Sequence, residues 1–340
     1  MRFALKTAAL VATMIPVFAA AQTYTPQEIS QGGLVTDIAS GVAGGYSAAP
    51  QHATLWSLFG ATDVHPAGFN FSQILGRGPG GISVGYGGTS AVAQSPLVWR
   101  GAGATALTVP FASIVGRATA TDGVQIVGTA TEGDTERTFG AVHAMLWDAA
   151  TGAATDLGKN LTINGVGGGV QVGYKVGSKG TTAGMWRGSS TSFVDLHPRF
   201  ADVSLATDSD GAIQIGYIGV SVRVRNEAKP RDIRFSSAGF WTGSAGSFTY
   251  LSSIYRHSFA LAIKGGTIVG YGNTTDAIGT PKESRAVAWV GPEFLPVDLH
   301  GMLPVDMRTS VANGIDENGN ICGYGVTFSG QLKSFIWVRS

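Results

Sequence analysis

The stretches "HATLW" (residues 52–56) and "HAMLW" (residues 143–147) are near copies of one short apolar run that ends in tryptophan. All seven tryptophans of the 340-residue chain end such a run, at intervals of 39 to 55 residues. The runs are "ATLW" (53–56), "PLVW" (96–99), "AMLW" (144–147), "AGMW" (183–186), "AGFW" (238–241), "AVAW" (286–289) and "SFIW" (334–337). A fixed self-similarity of this length indicates a repeat protein with one supersecondary unit per repeat.

A second signature, a glycine often followed by tyrosine, precedes each tryptophan. It occurs in "VAGGYS" (42–47), "SVGYGG" (83–88), "IVGTAT" (126–131), "QVGYKV" (171–176), "QIGYIG" (214–219), "IVGYGN" (268–273) and "ICGYGV" (321–326). An alternating segment closed by turn residues comes before it, as in "SFALAIKGG" (258–266). A further apolar segment follows the tryptophan, as in "ATDLG" (154–158). Four short strands per repeat predict a β-propeller.

The pattern H-A-x-L-W, then D-L-G, then S-x-A with a glycine turn, resembles the bacterial extracellular repeats named after their HAF motif. The best matches are "HATLW" and "HAMLW" with "ATDLG", and the pattern covers nearly all of the chain after residue 21. The unit "RHSFALAIKGGTIVGYG" (256–272) also resembles the inner hairpin of kelch-type and RCC1-type blades. This resemblance implies that the S-x-A strand is innermost, followed by the glycine–tyrosine strand, the tryptophan strand and an outer D-L strand.

With this strand order, the seventh repeat ends at Ser340 without an outer strand. The segment "TYTPQEI" (23–29) is otherwise unassigned, and a propeller hides its edge strands. We therefore predict an all-β, seven-bladed propeller of four-stranded blades over residues 22–340, closed by an N-terminal outer strand. The tryptophans are expected to fill the space between blades, and His52 and His143 to be blade-edge residues.

Residues 1–21 have the three parts of a secretory signal peptide: basic Arg2 and Lys6, an apolar run, and Ala19-Ala20-Ala21. The sequence therefore predicts a secreted or periplasmic protein. Without these residues, 21 basic side chains balance 22 acidic ones, which gives no basic surface for a nucleic acid. One cysteine, Cys322, allows no intrachain disulfide, and no other stretch is apolar enough for a membrane span. We expect a monomer.

Two kinds of connection are expected on one rim of the propeller. One runs from an outer strand to the next inner strand, and the other from the glycine–tyrosine strand to the tryptophan strand. Loops of this kind often carry function. Three of them begin with "DVHP" (63–66), "DLHP" (195–198) and "DLHG" (298–301). The expected catalytic candidates are His197, His257, His300 and Asp202, and the candidate ligands of a divalent metal are His65, His197 and His300. We expect these histidines to lie in connections, outside the packed faces of the sheets. The alternative is that Asp and His here only terminate strands.

Arginines are the candidate ligand-binding residues on the same rim. They are Arg199, Arg256, Arg308, Arg223 and Arg225, the last two in the long insertion "SVRVRNEAKPRDIRF" (221–235). A long charged loop of this kind is often only a solvated loop, but it also suits an anionic or carboxylated ligand.

Two functions remain open from the sequence. The first is an exported binding or interaction module that holds a small molecule, a glycan or a cell-envelope partner on one rim of the channel. The second is an extracellular hydrolase, with or without a metal, that cleaves an ester or a lactone at the channel mouth. No nucleophile or compact metal motif is readable, so whether the protein is an enzyme stays undecided.

Overall fold

The computed structural model describes residues 22–134, 140–178, 180–224, 231–276 and 279–340. Strands make up 65% of the structure, and the only helices in these ranges are single 3₁₀ turns. They are Pro79–Gly81, Ser190–Ser192, Ala245–Ser247 and His300–Met302. None of these is long and apolar enough to cross a membrane. The predicted signal peptide at residues 1–21 lies outside the described residues.

The strands follow the sequence repeats. An N-terminal strand, β1 (Tyr24–Gln31), comes first. Repeat one contains β2 (Gly33–Ala39), β3 (Val42–Ser47), β4 (Ala53–Ser57) and β5 (Gly60–Asp63). Repeat two contains β6 (Phe71–Arg77), β7 (Ile82–Ser90), β8 (Ala93–Arg100) and β9 (Gly103–Ala106). Repeat three contains β10 (Ser113–Thr121), β11 (Gln125–Glu132), β12 (Val142–Asp148) and β13 (Ala154–Lys159).

The remaining repeats have the same composition, except that the last has three strands. Repeat four contains β14 (Leu161–Gly167), β15 (Val170–Gly177), β16 (Gly180–Trp186) and β17 (Val194–Asp195). Repeat five contains β18 (Val203–Ser209), β19 (Gln214–Val224), β20 (Arg231–Trp241) and β21 (Thr249–Tyr250). Repeat six contains β22 (His257–Lys264), β23 (Thr267–Thr275), β24 (Pro281–Val290) and β25 (Leu295–Asp298). Repeat seven contains β26 (Met307–Ile315), β27 (Ile321–Thr327) and β28 (Leu332–Arg339).

Within each repeat the strands pair antiparallel in sequence order, which confirms the predicted order of the four strand types. Repeats two and three share one sheet, because β8 and β10 meet in a single parallel pair at Gln94 and Val115. In repeat seven the fourth position is filled by β1, which pairs antiparallel with β28 from Tyr24 opposite Arg339 to Gln31 opposite Lys333.

The hairpin between the first two strands shows why the sequence turns where it does. In repeat six, Lys264 pairs with Thr267, and the two residues between them are Gly265 and Gly266. Their φ angles are 55° and 73°, a pair of positive values that only glycine adopts at low cost. A two-residue turn of this kind matches the twist of the flanking strands and fixes their register.

The hydrophobic core lies between consecutive sheets, and the tryptophans fill it as predicted. Six of them have no exposed surface and Trp56 is 4% exposed. Four indole Nε1–H groups also donate to a carbonyl near the end of the preceding repeat: Trp99 to Val64, Trp147 to Thr108, Trp289 to Ser252 and Trp337 to Leu299. Burial of so large a side chain, with its polar atom satisfied, is a major stabilising contribution.

One core cluster joins the last repeat to the first. Val35, Ile38 and Trp56 of repeat one pack with Cys322 and Ile336 of repeat seven. The other clusters join each repeat to the one that follows it in sequence. Hydrophobic contact is therefore continuous from repeat one through repeat seven and back to repeat one.

Candidate functional site: the cavity between the first strands

Every first strand has a β-bulge at the same place, and a bulge redirects a side chain away from the regular alternation. The bulged residues are Thr36, Leu75, Thr119, Asn164, Thr207, Leu261 and Asn313. Five of the seven are polar. Their side chains therefore need hydrogen-bond partners near the inner edge of the sheets.

The polar bulge residues link the first strands of successive repeats. Thr36 Oγ1 donates to the carbonyl oxygen of Ile74 at 2.8 Å. The same link runs from Thr119 to Ile163, from Asn164 to Ala206 and from Thr207 to Ala260. In repeat seven, Asn313 Nδ2 donates to the carbonyl oxygen of Val35 at 2.7 Å. The same contact therefore joins the first strand of repeat seven to the first strand of repeat one.

The second halves of the first strands and the hairpin turns after them surround a cavity of about 530 Å³. All seven repeats contribute to its lining, and its volume is in the range of small-molecule sites. The lining carries six acidic side chains and two basic ones: Asp37, Asp122, Asp208, Asp210, Asp316 and Glu317, with Arg77 and Lys264. We call this space the carboxylate cavity.

Asp37 directly follows the bulge of repeat one. Its Oδ1 accepts the N–H of Ile38 at 2.8 Å, and its Oδ2 accepts the N–H of Arg77 in repeat two at 2.7 Å. Burial raises the pKa of this carboxyl to about 6, although both N–H donors oppose the rise. Gly314 of repeat seven leaves the space that the carboxyl occupies, since a Cβ there would lie 2.4 Å from Asp37 Oδ1.

Asp208 occupies the equivalent position in repeat five and is held in the same way. Its oxygens accept the N–H groups of Ser209 at 2.8 Å and of Ile263 in repeat six at 3.0 Å. Burial raises its pKa to about 7, and the negative charge of Asp37 adds to the rise. Two carboxyls from non-neighbouring repeats thus face one cavity and influence each other.

The two cations near these carboxyls differ in their burial and in their hydrogen bonds. Lys264 lines the cavity, and its charge lowers the pKa of both Asp37 and Asp208 against the effect of burial. Arg77 is buried, and its Nη1 donates to Ser83 Oγ at 2.7 Å. Its Nε has no hydrogen-bond partner among the described residues.

This arrangement has two chemical capacities. Each carboxyl has lone pairs beyond the two used by backbone donors, so it can accept a hydrogen bond or pair with a cation in the cavity. A carboxyl whose pKa is near 7 also exists in both protonation states at neutral pH, as a general acid or base must. No group of three or more His, Cys, Asp or Glu within the described ranges is arranged to hold a metal ion.

The histidines of the three repeated phrases lie elsewhere. Each is bonded through Nδ1 to the hydroxyl of a serine in the next first strand: His65 to Ser72 at 2.7 Å, His197 to Ser204 at 2.8 Å and His300 to Ser310 at 2.7 Å. The same serine Oγ atoms accept the N–H of Ala53, Ala183 and Ala286 in the third strand of the preceding repeat. Each histidine–serine pair therefore holds two consecutive sheets together.

These contacts correct the expectation that the histidines lie outside the packed faces of the sheets. His65, His197 and His300 occupy three separate sheet boundaries, and the structure does not bring them together around one point. His300 is buried, and this burial lowers its pKa, which favours the neutral imidazole that the serine contact uses.

His257 is the first residue of β22 rather than a connection residue, and it is buried. Its Nδ1 accepts the N–H of Ser236 at 3.3 Å, and its Nε2 lies 3.3 Å from the carbonyl oxygen of Gly279. The neighbouring Arg256 is exposed, with its guanidinium 5.5 Å from the ring centre of Phe235. Both nitrogens of His257 are thus engaged with backbone groups.

The other predicted residues are spread over the surface. Asp202 is exposed, and hydrogen bonding from Ser221 lowers its pKa. Arg199 is exposed, and Arg308 borders a surface depression with Lys282 and Glu283. Arg223 lies in β19 and is exposed, whereas Arg225 lies outside the described residues. None of these described arginines lines the carboxylate cavity.

The histidines of the two opening motifs pair with the aspartate of the neighbouring outer strand. His52 Nδ1 lies 2.7 Å from Asp63 Oδ2, and His143 Nδ1 lies 2.7 Å from Asp156 Oδ2. His143 is buried, so the expectation of a blade-edge residue is wrong for it, and Glu132 Oε1 also lies 3.0 Å from its Nε2. The repeated motif therefore encodes a histidine–aspartate pair between the third and fourth strands.

Sequence reasoning missed Asp37 and Asp208. The signal was present, since "VTDIAS" (35–40) and "LATDSD" (205–210) both place Thr-Asp before the first hairpin turn. These aspartates were indistinguishable from turn formers, because the bulge that turns them toward the cavity is not visible in the residue pattern.

No protein-family description and no curated protein sequence matches this chain. Among solved structures, it is similar to an oligogalacturonate lyase in complex with manganese, with 10% identity and a TM-score of 0.54 over 94% of this chain and 96% of that one. It is also similar to the β-propeller domain of the Trilobed protease from Pyrococcus furiosus, with 12% identity and a TM-score of 0.39 over 92% and 96% of the two chains. TolB from Acinetobacter baumannii matches with 10% identity and a TM-score of 0.43 over 93% of this chain and 80% of that one. At these identities the likeness concerns the fold alone, and the chain has an all-β fold whose structural neighbours are β-propellers.

Proposed function

We propose that the protein is an exported, seven-bladed β-propeller whose ring is sealed by the N-terminal strand. Three contacts between the ends of the chain support this: the pairing of β1 with β28, the hydrogen bond from Asn313 to Val35, and the cluster around Trp56 and Cys322. Each corresponds to a contact that other successive repeats make. Export rests on the three-part pattern of residues 1–21.

The function that the geometry supports best is binding of a small organic cation, such as an amine, in the carboxylate cavity. The observation that carries this proposal is that Asp37 and Asp208 face one cavity from non-neighbouring repeats, with backbone N–H groups fixing both. A bare divalent ion needs several ligands within about 2.5 Å of one point. An organic cation can instead span carboxyls on different walls. Acidic side chains outnumber basic ones six to two around the cavity, which favours a positive ligand.

The test is isothermal titration with spermidine and choline as probes at pH 5 and pH 8. Binding is expected to be at least tenfold tighter at pH 8, since both carboxyls are then ionised. Asp37→Asn and Asp208→Asn should each weaken it about tenfold or more. Asp195→Asn removes an exposed carboxylate that likewise accepts a backbone N–H, so it is a matched control and should change nothing. Preference for anionic probes, or equal binding by all variants, contradicts the proposal.

A hydrolytic role is the second candidate, and one observation favours it. With a pKa of about 7, Asp208 can carry a proton at neutral pH and donate it to a leaving group. The test is cleavage of p-nitrophenyl acetate and of γ-butyrolactone. Activity that is lost in Asp208→Asn and retained in Asp195→Asn supports catalysis, whereas equal rates in both variants exclude a role of Asp208.

A further inference from the structure

A second set of side chains lies at the opposite end of the first strands. In six repeats a tyrosine of the second strand pairs with a residue near the start of the first strand. These tyrosines are Tyr46, Tyr86, Tyr174, Tyr217, Tyr271 and Tyr324, and repeat three has Thr129 instead. The carboxylate cavity lies along the other half of the same strands, from the bulge to the hairpin turn. We call the six residues the tyrosine belt.

The belt is continuous from repeat four through repeats seven and one to repeat two. Burial raises the pKa of Tyr86, Tyr217, Tyr271 and Tyr324, and in each case a tyrosine of an adjoining repeat adds to the rise. The pairs are Tyr46–Tyr86, Tyr174–Tyr217, Tyr217–Tyr271, Tyr271–Tyr324 and Tyr324–Tyr46. Neighbouring phenols are therefore close enough to interact.

Ring contacts show the same proximity. Phe259 of repeat six meets Tyr217 of repeat five edge-on and stacks on Tyr271, with ring centroids 4.8 Å apart in both cases. In the repeat that lacks the tyrosine, the guanidinium of Arg117 lies 4.6 Å from the ring centre of Tyr86. Arg117 is exposed, and its Nε donates to Gln94 Oε1 at 2.6 Å. Arg117 therefore extends the belt from repeat two to repeat three.

The hydroxyl groups of the belt have no partner among the residues that the structure describes. None of the six makes a hydrogen bond to a protein group there, although the residue Tyr86 is buried and the other five are partly buried. Tyr24, by contrast, donates to Gln22 Oε1 at 3.1 Å. None of the six hydroxyl oxygens is a fully buried atom without a partner, so each is open to solvent. Six such hydroxyls at one end of the repeats form a surface that can donate to and accept from a polar ligand.

We infer that the tyrosine belt is a second binding site, and that its ligand is a neutral oligosaccharide. Phenol hydroxyls both donate and accept, as sugar hydroxyls do, and the phenol rings that carry them add apolar surface beside these groups. Arg117 is the only charged residue among the belt and its first-strand partners Leu34, Gln73, Arg117, Thr162, Leu205, Phe259 and Val311. A largely uncharged site of this kind does not favour a strongly charged ligand. The inference does not depend on the carboxylate cavity.

The experiment is an array of neutral gluco-, xylo- and manno-hexaoses, with hexuronic acid oligomers as the charged comparison. We expect binding to at least one neutral hexaose. The double variant Tyr217→Phe/Tyr271→Phe keeps both rings and should lower the affinity of the protein for that hexaose at least tenfold. Tyr250→Phe, which removes an exposed hydroxyl outside the belt, is the matched control and should leave it unchanged. Asp208→Asn should also leave it unchanged, which separates this site from the cavity.

Three results would overturn the inference. The first is no binding to any neutral hexaose. The second is neutral binding that the double variant retains. The third is binding of uronic acid oligomers alone, lost in Arg117→Gln, which would identify an anion site at repeat three instead.

Discussion

The hairpin that the first and second strands form in each repeat carries different polar groups at its two ends. In the carboxylate cavity, Asp37 and Asp208 each accept two backbone N–H groups, one of them from the next repeat. At the tyrosine belt, none of the six hydroxyls bonds to a described protein group. The same repeated hairpin therefore bonds its carboxyls to the backbone of two repeats at one end and leaves its tyrosine hydroxyls without a described protein partner at the other.

The difference separates carboxyls that both link two repeats and face a cavity from hydroxyls that have no described protein partner. A carboxyl that links two repeats contributes to folding, so its substitution changes stability as well as binding. A hydroxyl without a protein partner contributes little to folding, so its substitution should change binding alone.

The largest effect is expected from deletion of residues 23–30, which removes most of β1. The variant would expose the edge of β28 and take Tyr24 out of the core around Trp337. We expect loss of cooperative unfolding, or a fall in melting temperature of more than about 10 °C. The carboxylate cavity and the tyrosine belt should both be disturbed in this variant. An unchanged melting curve by circular dichroism would contradict closure by β1, and Glu28→Gln on the same strand is the control.

Trp147→Ala should lower the free energy of unfolding by about 3–5 kcal/mol, because it leaves a cavity between repeats two and three and an unpaired carbonyl at Thr108. Chemical denaturation measures the change. Trp241 is equally buried, but its Nε1 has no partner within the described residues. Trp147→Phe should therefore cost about 1 kcal/mol more than Trp241→Phe. Equal costs would show that the indole hydrogen bonds add nothing to packing.

The sequence predicted the strand order of each repeat better than the functional side chains, and the reason is physical. Tryptophan, glycine and turn residues recur because each repeat must solve the same packing and turning problem. The strand types and the buried role of Trp147 were readable for this reason. The histidines of the D-L-H phrases were readable only as polar residues near strand ends, because their serine partners, such as Ser310, lie in a different sheet.

The carboxylate cavity and the tyrosine belt depend on contacts between repeats that no single repeat reveals. Asp37 meets Arg77 of the next repeat and Gly314 of the last one, a combination that depends on the bulge and on contact between the first and last repeats. The glycine–tyrosine signature was recognised as a strand marker. The sequence could not show that these tyrosine hydroxyls lack a described protein partner, because that depends on how the second strands of different repeats lie beside one another.

The stability of the protein should fall as the pH rises from about 4 to about 7. The folded pKa values of Asp37 and Asp208, about 6 and about 7, lie above the ordinary value of 3.8, so the folded state holds protons that the unfolded state has released. For Asp208 the shift corresponds to roughly 4 kcal/mol across this interval. Asp208→Asn should flatten the dependence, as measured by urea denaturation at pH 4, 5.5, 7 and 8. A curve for Asp208→Asn that matches the wild type would show that this carboxyl is not buried as described.

Ser310→Ala should cost about 1–3 kcal/mol, since it leaves both the N–H of Ala286 and the Nδ1 of His300 without their partner. Ser258→Ala is a matched control, because Ser258 accepts the N–H of Ala238 but bonds no histidine. The difference between the two variants, about 1 kcal/mol, measures what the histidine adds to a sheet boundary. No difference would mean that the histidines of the three phrases are free for another role.

The smallest effect on folding, and the sharpest test of the contrast, is expected from the belt. Tyr271→Phe removes a hydroxyl that has no described protein partner and keeps the ring that stacks on Phe259. Its free energy of unfolding should therefore differ from the wild type by less than about 0.5 kcal/mol.

Thr207→Val is the comparison at the bulge. It removes a hydroxyl of the same kind that donates to Ile215 and Ala260, at 3.2 and 2.8 Å, and it should cost about 1–2 kcal/mol. Urea denaturation of both variants at pH 7 measures the two changes. If Tyr271→Phe costs as much as Thr207→Val, its hydroxyl stabilises the fold, and the belt would belong with the groups that hold the sheets together. If it costs nothing while glycan binding is lost, the hydroxyl serves the ligand, because an unpaired donor at a half-buried position has no other contribution to make.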